Sequence, residues 1–317
     1  MSAAHARRDE PQCYALGALD WGRSPHVPLL AGLDAKTLQV DPARGSSTSV
    51  ARLPGGWRTS YDAAEATLEL FVLAGDVALA GDRVGAGGYV SVPRGSGTVE
   101  LRSAGGAQAI VYWMPASALV HGAAPRVTRV QREPWQVQKM EAMPHGPMSK
   151  SLRLPDNVEG AVHGGPGGIL RLVMLPPGWA DASEHVHWVW EGLVFLAGDL
   201  AMPGRGILAQ GSYLGNPAGY IHGPMASQTG ALILVQTDEP VSQPAWRKPG
   251  AQAFANGYRE LRSWLEPSQH RAWEGLPDYE RAGAALAWSD LPLGAGALLE
   301  GQPAEPPIPY HRLTPPR

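Results

Sequence analysis

A single cysteine, Cys13, among 317 residues excludes an intrachain disulfide and a cysteine-based zinc cluster. Charge is scarce as well. Asp, Glu, Lys and Arg make up 17% of the chain, the net charge is −3 and no basic run occurs, so neither nucleic acid nor an anionic membrane is an expected partner. The opening residues, MSAAHARRDEPQ, lack the apolar core of a secretion signal, and no apolar run reaches membrane-spanning length. The expectation is a soluble, cytoplasmic protein. What the chain has in plenty is Gly (39) and Pro (30), which favours many short strands and turns over long helices. Its length suffices for two domains with cores of their own.

The chemistry gathers between Gly178 and His222. If residues 185–191 form one strand, alternation puts His185, His187, Val189 and Glu191 on one face and Val186, Trp188 and Trp190 on the other. Gly198 in LAGD ends that strand, and GNPAG at 215–219 makes a second turn that delivers His222 on another strand. Three imidazoles and one carboxylate suit Fe(II), Mn(II), Ni(II), Cu(II) or Zn(II), and an octahedral shell then keeps up to two positions open. Tyr220 shares the parity of His222, which makes it the candidate hydrogen-bond donor or base. Val189, Leu193 and Phe195 continue the inward face, so the cavity is apolar beside the metal. Trp188 and Trp190 are expected in packing between sheets, between barrels or across a dimer. Arg171 precedes the cluster with its parity unsettled; facing inward, it would select an anionic or carbonyl substrate. His26, His145 and His163 read as loop or edge residues.

The chain is also a tandem repeat. LPGGW at 53–57 answers LPPGW at 175–179, FVLAGDV at 71–77 answers VFLAGDL at 194–200, and GGYVSVPRG at 87–95 answers GSYLGNPAG at 211–219. The offset is 122 from Trp57 to Trp179, 123 from Gly75 to Gly198 and 124 from Pro93 to Pro217. In the first copy Asp62, Ala64, Leu68 and Thr98 stand in the slots of His185, His187, Glu191 and His222. A shift of one residue offers Glu65 and Glu69 instead, expected on a solvent-facing strand surface. The first copy is therefore expected to be metal-free.

These positions resemble the two motifs of the cupin superfamily. The first, G-(X)n-H-X-H-(X)3-E-(X)6-G, is met by Gly178, His185, His187, Glu191 and Gly198, with one extra residue before the first His; the second, G-(X)5-P-X-G-(X)2-H, is met by Gly211, Pro217, Gly219 and His222. Ala226 stands where a non-ligand Asn often follows. The K-(S/T)-L segments, PPGW, GSYLGNPAG and H-G-P also resemble the cupin domain of ChrR-type anti-sigma factors and related bicupins, over residues 25–115 and 144–240. The His and Cys cluster of the anti-sigma helical domain is missing from the N-terminus, which argues against that role.

The resemblance implies an all-β fold of two tandem cupin barrels, each a jelly roll or double-stranded β-helix. The expected limits are 20–118 for the degenerate barrel and 135–242 for the metal-binding one. A short helical and Pro-rich extension follows at 246–317. One divalent transition metal per chain is implied on His185, His187, Glu191 and His222, Fe2+ first, with Mn2+, Zn2+ or Ni2+ as alternatives. The function expected is a non-haem Fe(II)-type dioxygenase acting on a small oxygen-bearing organic substrate. A metal-dependent isomerase or lyase and a non-catalytic metal- or metabolite-sensing module remain the alternatives. Partners reduce to the small-molecule substrate and a second copy in a homodimer, unless the two barrels of one chain imitate that dimer.

Overall fold

The computed structural model describes residues 11–115, 124–133, 135–137, 147–153, 168–175, 179–181, 184–202, 205–227, 230–237 and 245–247, with backbone alone at 136–137, 180, 184–185 and 245–247. The expected C-terminal extension lies outside the described residues except for Trp246 and Arg247, which belong to the short strand Ala245–Arg247 rather than to a helix. The described chain is built of antiparallel strands, joined by three short 3-10 turns at Leu16–Ala18, Pro28–Leu30 and Val130–Arg132. No helix among the described residues is long and apolar enough to cross a membrane.

Two barrels stand side by side. In the first, one sheet runs Arg126–Arg129, Gly88–Val92, Thr67–Leu79, Ala107–Met114, Ser46–Leu53, Asp34–Asp41 and Gly22–Arg23. Trp57–Asp62, Thr98–Ser103 and Asp82–Gly85 form the opposite wall against the far half of Thr67–Leu79. The second barrel repeats this order with Gln12–Ala15, Ser212–Asn216, Glu191–Met202, Ala231–Thr237, Leu170–Leu175, Met148–Ser151 and Gln136–Val137. In each barrel one long strand serves both walls, and it must bend to do so. The bend falls at Gly75 and Gly198, where φ is +71° and +74° and a Cβ would collide with the carbonyl oxygens of Gly106 and Gly230. Glycine is required at both places for conformation and for space.

The repeat is also an exchange of strands. Gln12–Ala15 precedes the first barrel yet pairs with Ser212–Asn216 of the second, while Arg126–Arg129 precedes the second yet pairs with Gly88–Val92 of the first. Both strands lie outside the limits 20–118 and 135–242. Each barrel thus closes its neighbour's edge, which hides one row of unpaired backbone groups per barrel. The lead-in segments repeat at their own spacing: Lys36 donates to the Leu16 carbonyl (3.0 Å) over the Trp21 ring, as Lys150 donates to the Val130 carbonyl (3.0 Å) over the Trp135 ring. All three residue pairs are 114 apart (36 to 150, 16 to 130, 21 to 135), against 122–124 for the later strands.

Strand alternation then separates three cores. Leu68, Leu70 and Val72 fill the first barrel, and Leu193 and Phe195 the second with Val173, Leu175, Leu214 and Ile233. Phe71, Leu73, Val194 and Leu196 point the other way into a core shared by both barrels, with Tyr89, Tyr112 and Tyr213. Trp190 joins this shared core, as expected. Trp188 does not pack in any of the three: it is 64% exposed and its ring lies against Gly219.

Glu69 corrects another expectation. It is fully buried at the seam between the barrels, where Arg153 donates to both its oxygens (3.0 and 2.5 Å) and the Tyr89 hydroxyl donates to Oε1 (2.5 Å). The reason is its parity. Neighbouring Leu68 and Leu70 face the barrel interior, so Glu69 must face the partner barrel and needs a buried cation there.

Candidate metal centre

The segment 185–191 is not one strand. Glu184–Val186 ends before His187, a bend follows at Trp188 and Val189, and Glu191–Met202 starts the next strand. Strict alternation through the motif therefore fails, and Val189 packs on Ile169 apart from the main barrel core. The bend is tied down by the second motif. The Gly219 amide donates to the His187 carbonyl (2.7 Å), and Gly219 itself needs its φ of +77° to close the turn with Pro217.

Through this bend His187 meets Glu191 and His222. Their donor atoms lie within 4.8 Å of one another, with His187 Nε2 and His222 Nε2 each 3.7 Å from an oxygen of Glu191 and the two imidazole rings 5.0 Å apart between centroids. His185 is placed by its backbone directly opposite His222 in the antiparallel pair of Glu184–Val186 with Ile221–His222; its side chain lies outside the described residues.

Two neighbours orient these groups. The His222 Nδ1 is 3.3 Å from the Tyr220 carbonyl, which can only accept, so Nδ1 carries the proton and Nε2 presents its lone pair toward Glu191. Asn216 sits opposite Glu191 in register, and its amide donates to Oε2 (3.0 Å). In the sequence Asn216 shows only as part of the GNPAG turn. Tyr220 also packs its ring under the Arg205 guanidinium at 4.7 Å.

The donor set fits a transition ion. Two ligands that each stand about 2.1 Å from one ion are about 3 to 4.2 Å apart, depending on the angle between them, and both 3.7 Å separations fall in that range. His187 Nδ1 is buried without a hydrogen-bond partner. With Nε2 turned to Glu191, Nδ1 is the nitrogen through which a ligating imidazole ordinarily bonds a neighbouring group, so the fit rests on the 3.7 Å separations rather than on this atom.

Arg171 has its parity settled. It alternates with Val173 and Leu175, which face the second barrel's interior, and stands opposite Val235 in register, whose own neighbour is Leu193. Burial lowers its pKa to about 10, with the Glu191 carboxylate opposing the shift.

The first barrel carries the same frame without the candidate ligands. Asp62 lies opposite Thr98 as His185 lies opposite His222, and Leu68 lies opposite Val92 as Glu191 lies opposite Asn216. The slots assigned from the repeat are thus equivalent in space. Asp62 is exposed and accepts from the Ala64 amide (3.0 Å) in a turn, and Leu68 is buried in apolar surroundings. His187, Glu191 and His222 form the one cluster of metal-ligating groups found among the described residues.

Solved structures share this architecture. A candidate dioxygenase from Nostoc punctiforme superposes with a TM-score of 0.59 at 18% identity, over 76% of this chain and 88% of the other. A candidate glyoxylate-induced protein from Pseudomonas aeruginosa gives 0.56 at 15% over 75% and 92%, and a mutant of oxalate decarboxylase from Bacillus subtilis gives 0.50 at 11% over 80% and 86%. No family model and no curated protein matches the sequence. The chain has the all-β cupin fold, in its two-barrel form.

Proposed function

We propose that this protein is a metal-dependent bicupin enzyme with one active centre, in the second barrel, and that it acts as a non-haem Fe(II)-type dioxygenase on a small oxygen-bearing organic substrate. The observation that carries the reading is the convergence of His187, Glu191 and His222 at one end of a barrel interior lined mainly by apolar side chains. His185, opposite His222 in register, is the proposed fourth ligand. When bound, a divalent ion would supply Lewis acidity and, as Fe(II), a route to dioxygen chemistry.

The chain's own residues account for the rest. Asn216 holds the Glu191 carboxylate and the Tyr220 carbonyl holds the His222 ring, so neither ligand needs to reorient when substrate enters. The apolar walls of Leu193, Phe195, Leu214 and Ile233 keep water from the reacting atoms. Glu191 is committed to the metal, so proton transfer falls to another group, and the Tyr220 hydroxyl is the proposed one. Metal analysis of protein made without supplementation, followed by oxygen uptake with β-diketones, catechols and flavonols, tests the proposal. Oxygen uptake that depends on bound Fe(II) supports it; metal-loaded protein inert toward every substrate class would overturn the dioxygenase reading.

A further inference from the structure

We infer that Arg171 anchors a carboxylate of the substrate inside the second barrel, beside the metal centre. The inference rests on the reading of His187, Glu191 and His222 as metal ligands and adds the substrate's class.

Arg171 is placed in the interior by strand parity, in a row with Val235 and Leu193 and among the apolar side chains of Val173, Phe195 and Ile233. Its Nε is buried and has no hydrogen-bond partner. A guanidinium offers five donors in a planar fork, and the buried one here has no partner within the protein, a cost that a ligand's oxyanion on the fork would relieve. The nearby carboxylate does not fill that need. Glu191 acts on Arg171 through space, while its oxygens face His187 and His222 and accept from Asn216.

The charge count points the same way. Arg171 contributes one positive charge, Glu191 one negative, and a divalent ion adds two, with the histidines neutral as ligands. The centre then holds an excess of positive charge in low-dielectric surroundings, which an anionic ligand relieves. A planar oxyanion matches the guanidinium fork in two parallel hydrogen bonds, so a carboxylate is the fitting class. A substrate held at that end presents its other oxygen to the metal's open positions. The apolar wall receives the remainder.

The test compares acids with amides of the same size. Glycolate and glycolamide, and mandelate and mandelamide, are titrated calorimetrically into metal-loaded and metal-free full-length protein, for wild type, Arg171→Gln and Arg171→Lys. Metal content and circular dichroism are recorded for each. The expected result is that the acids bind wild type about tenfold or more tightly than their amides, that Arg171→Gln erases this preference with metal content unchanged, and that Arg171→Lys keeps a reduced preference. Should Arg171→Gln fail to fold, the Lys variant decides, since it keeps the charge and loses the fork. Equal binding of acid and amide by wild type, or acid binding untouched in both variants, overturns the inference. Wild type that takes up no metal would instead overturn the metal reading. The acid preference measured on that metal-free protein then still decides the role of Arg171.

Discussion

At the scale of single residues, the centre depends on how few groups do the holding. Replacing His187 by Ala removes one of three converging donors and is expected to abolish stoichiometric metal binding, whereas Asp62→Ala, in the first barrel's slot for His185, leaves metal content unchanged; metal analysis of the purified variants reads both. Equal loss in the two would mean that the first barrel carries a ligand. Asn216→Ala leaves every donor in place but frees the Glu191 carboxylate to rotate, so metal affinity is expected to fall roughly 10–100-fold in a chelator competition. His187, Glu191 and His222 were legible from their spacing. Asn216 was not, because its bond to Glu191 exists only through the register that sets the two strands side by side.

At the scale of elements, the strand exchange decides more than any strand alone. Gln12–Ala15 joins the chain's start to the second barrel, and its Cys13 side chain packs on that barrel's interior core. Burial raises the Cys13 pKa, against the pull of Arg205, so the thiol stays protonated in mildly alkaline buffer. Alkylation by iodoacetamide is expected to run at least about tenfold slower than for a model thiol and to reach the model rate in denaturant. Rapid labelling of the native protein would mean that this strand detaches freely. The repeat in the sequence located the later strands well, from LPGGW onward. It did not show that each lead-in strand crosses to the other barrel, since a strand's own residues do not record which edge it covers.

At the scale of the whole molecule, the two barrels share a third core and the buried ion pair of Arg153 with Glu69. Arg153 bonds Glu69 of the first barrel and also donates to the Thr237 carbonyl (2.9 Å), while the Ile169 amide donates to the Thr237 hydroxyl (2.9 Å). Thr237 lies opposite Glu191 in register, so the seam braces the strand that carries a proposed metal ligand. Glu69→Ala leaves Arg153 buried without its counter-charge and is expected to cost about 3–5 kcal/mol in urea unfolding. A change below about 1 kcal/mol would mean that the pair adds little beyond what water supplies. The position equivalent to Glu69 in the second barrel is Gly192, and a Cβ there would run into the Trp190 ring. The correspondence between the two barrels is thus broken at the seam by an ion pair on one side and an indole on the other.

The sequence by itself determined the all-β class, the duplication, and the barrel that carries the candidate ligands, because turn glycines, motif spacing and the absent histidines of the first copy are local features. Gly198 reads in the sequence as the end of a strand, whereas Gly75 and Gly198 each bend one continuous strand, Thr67–Leu79 and Glu191–Met202. Only the tertiary structure decided the break at Trp188–Val189, the inward face of Arg171, the exchange of leading strands and the burial of Glu69. Each of these depends on what lies across a strand pair or a seam. A side chain's alternation says that it has two faces, and only the packed neighbours say which face is inside.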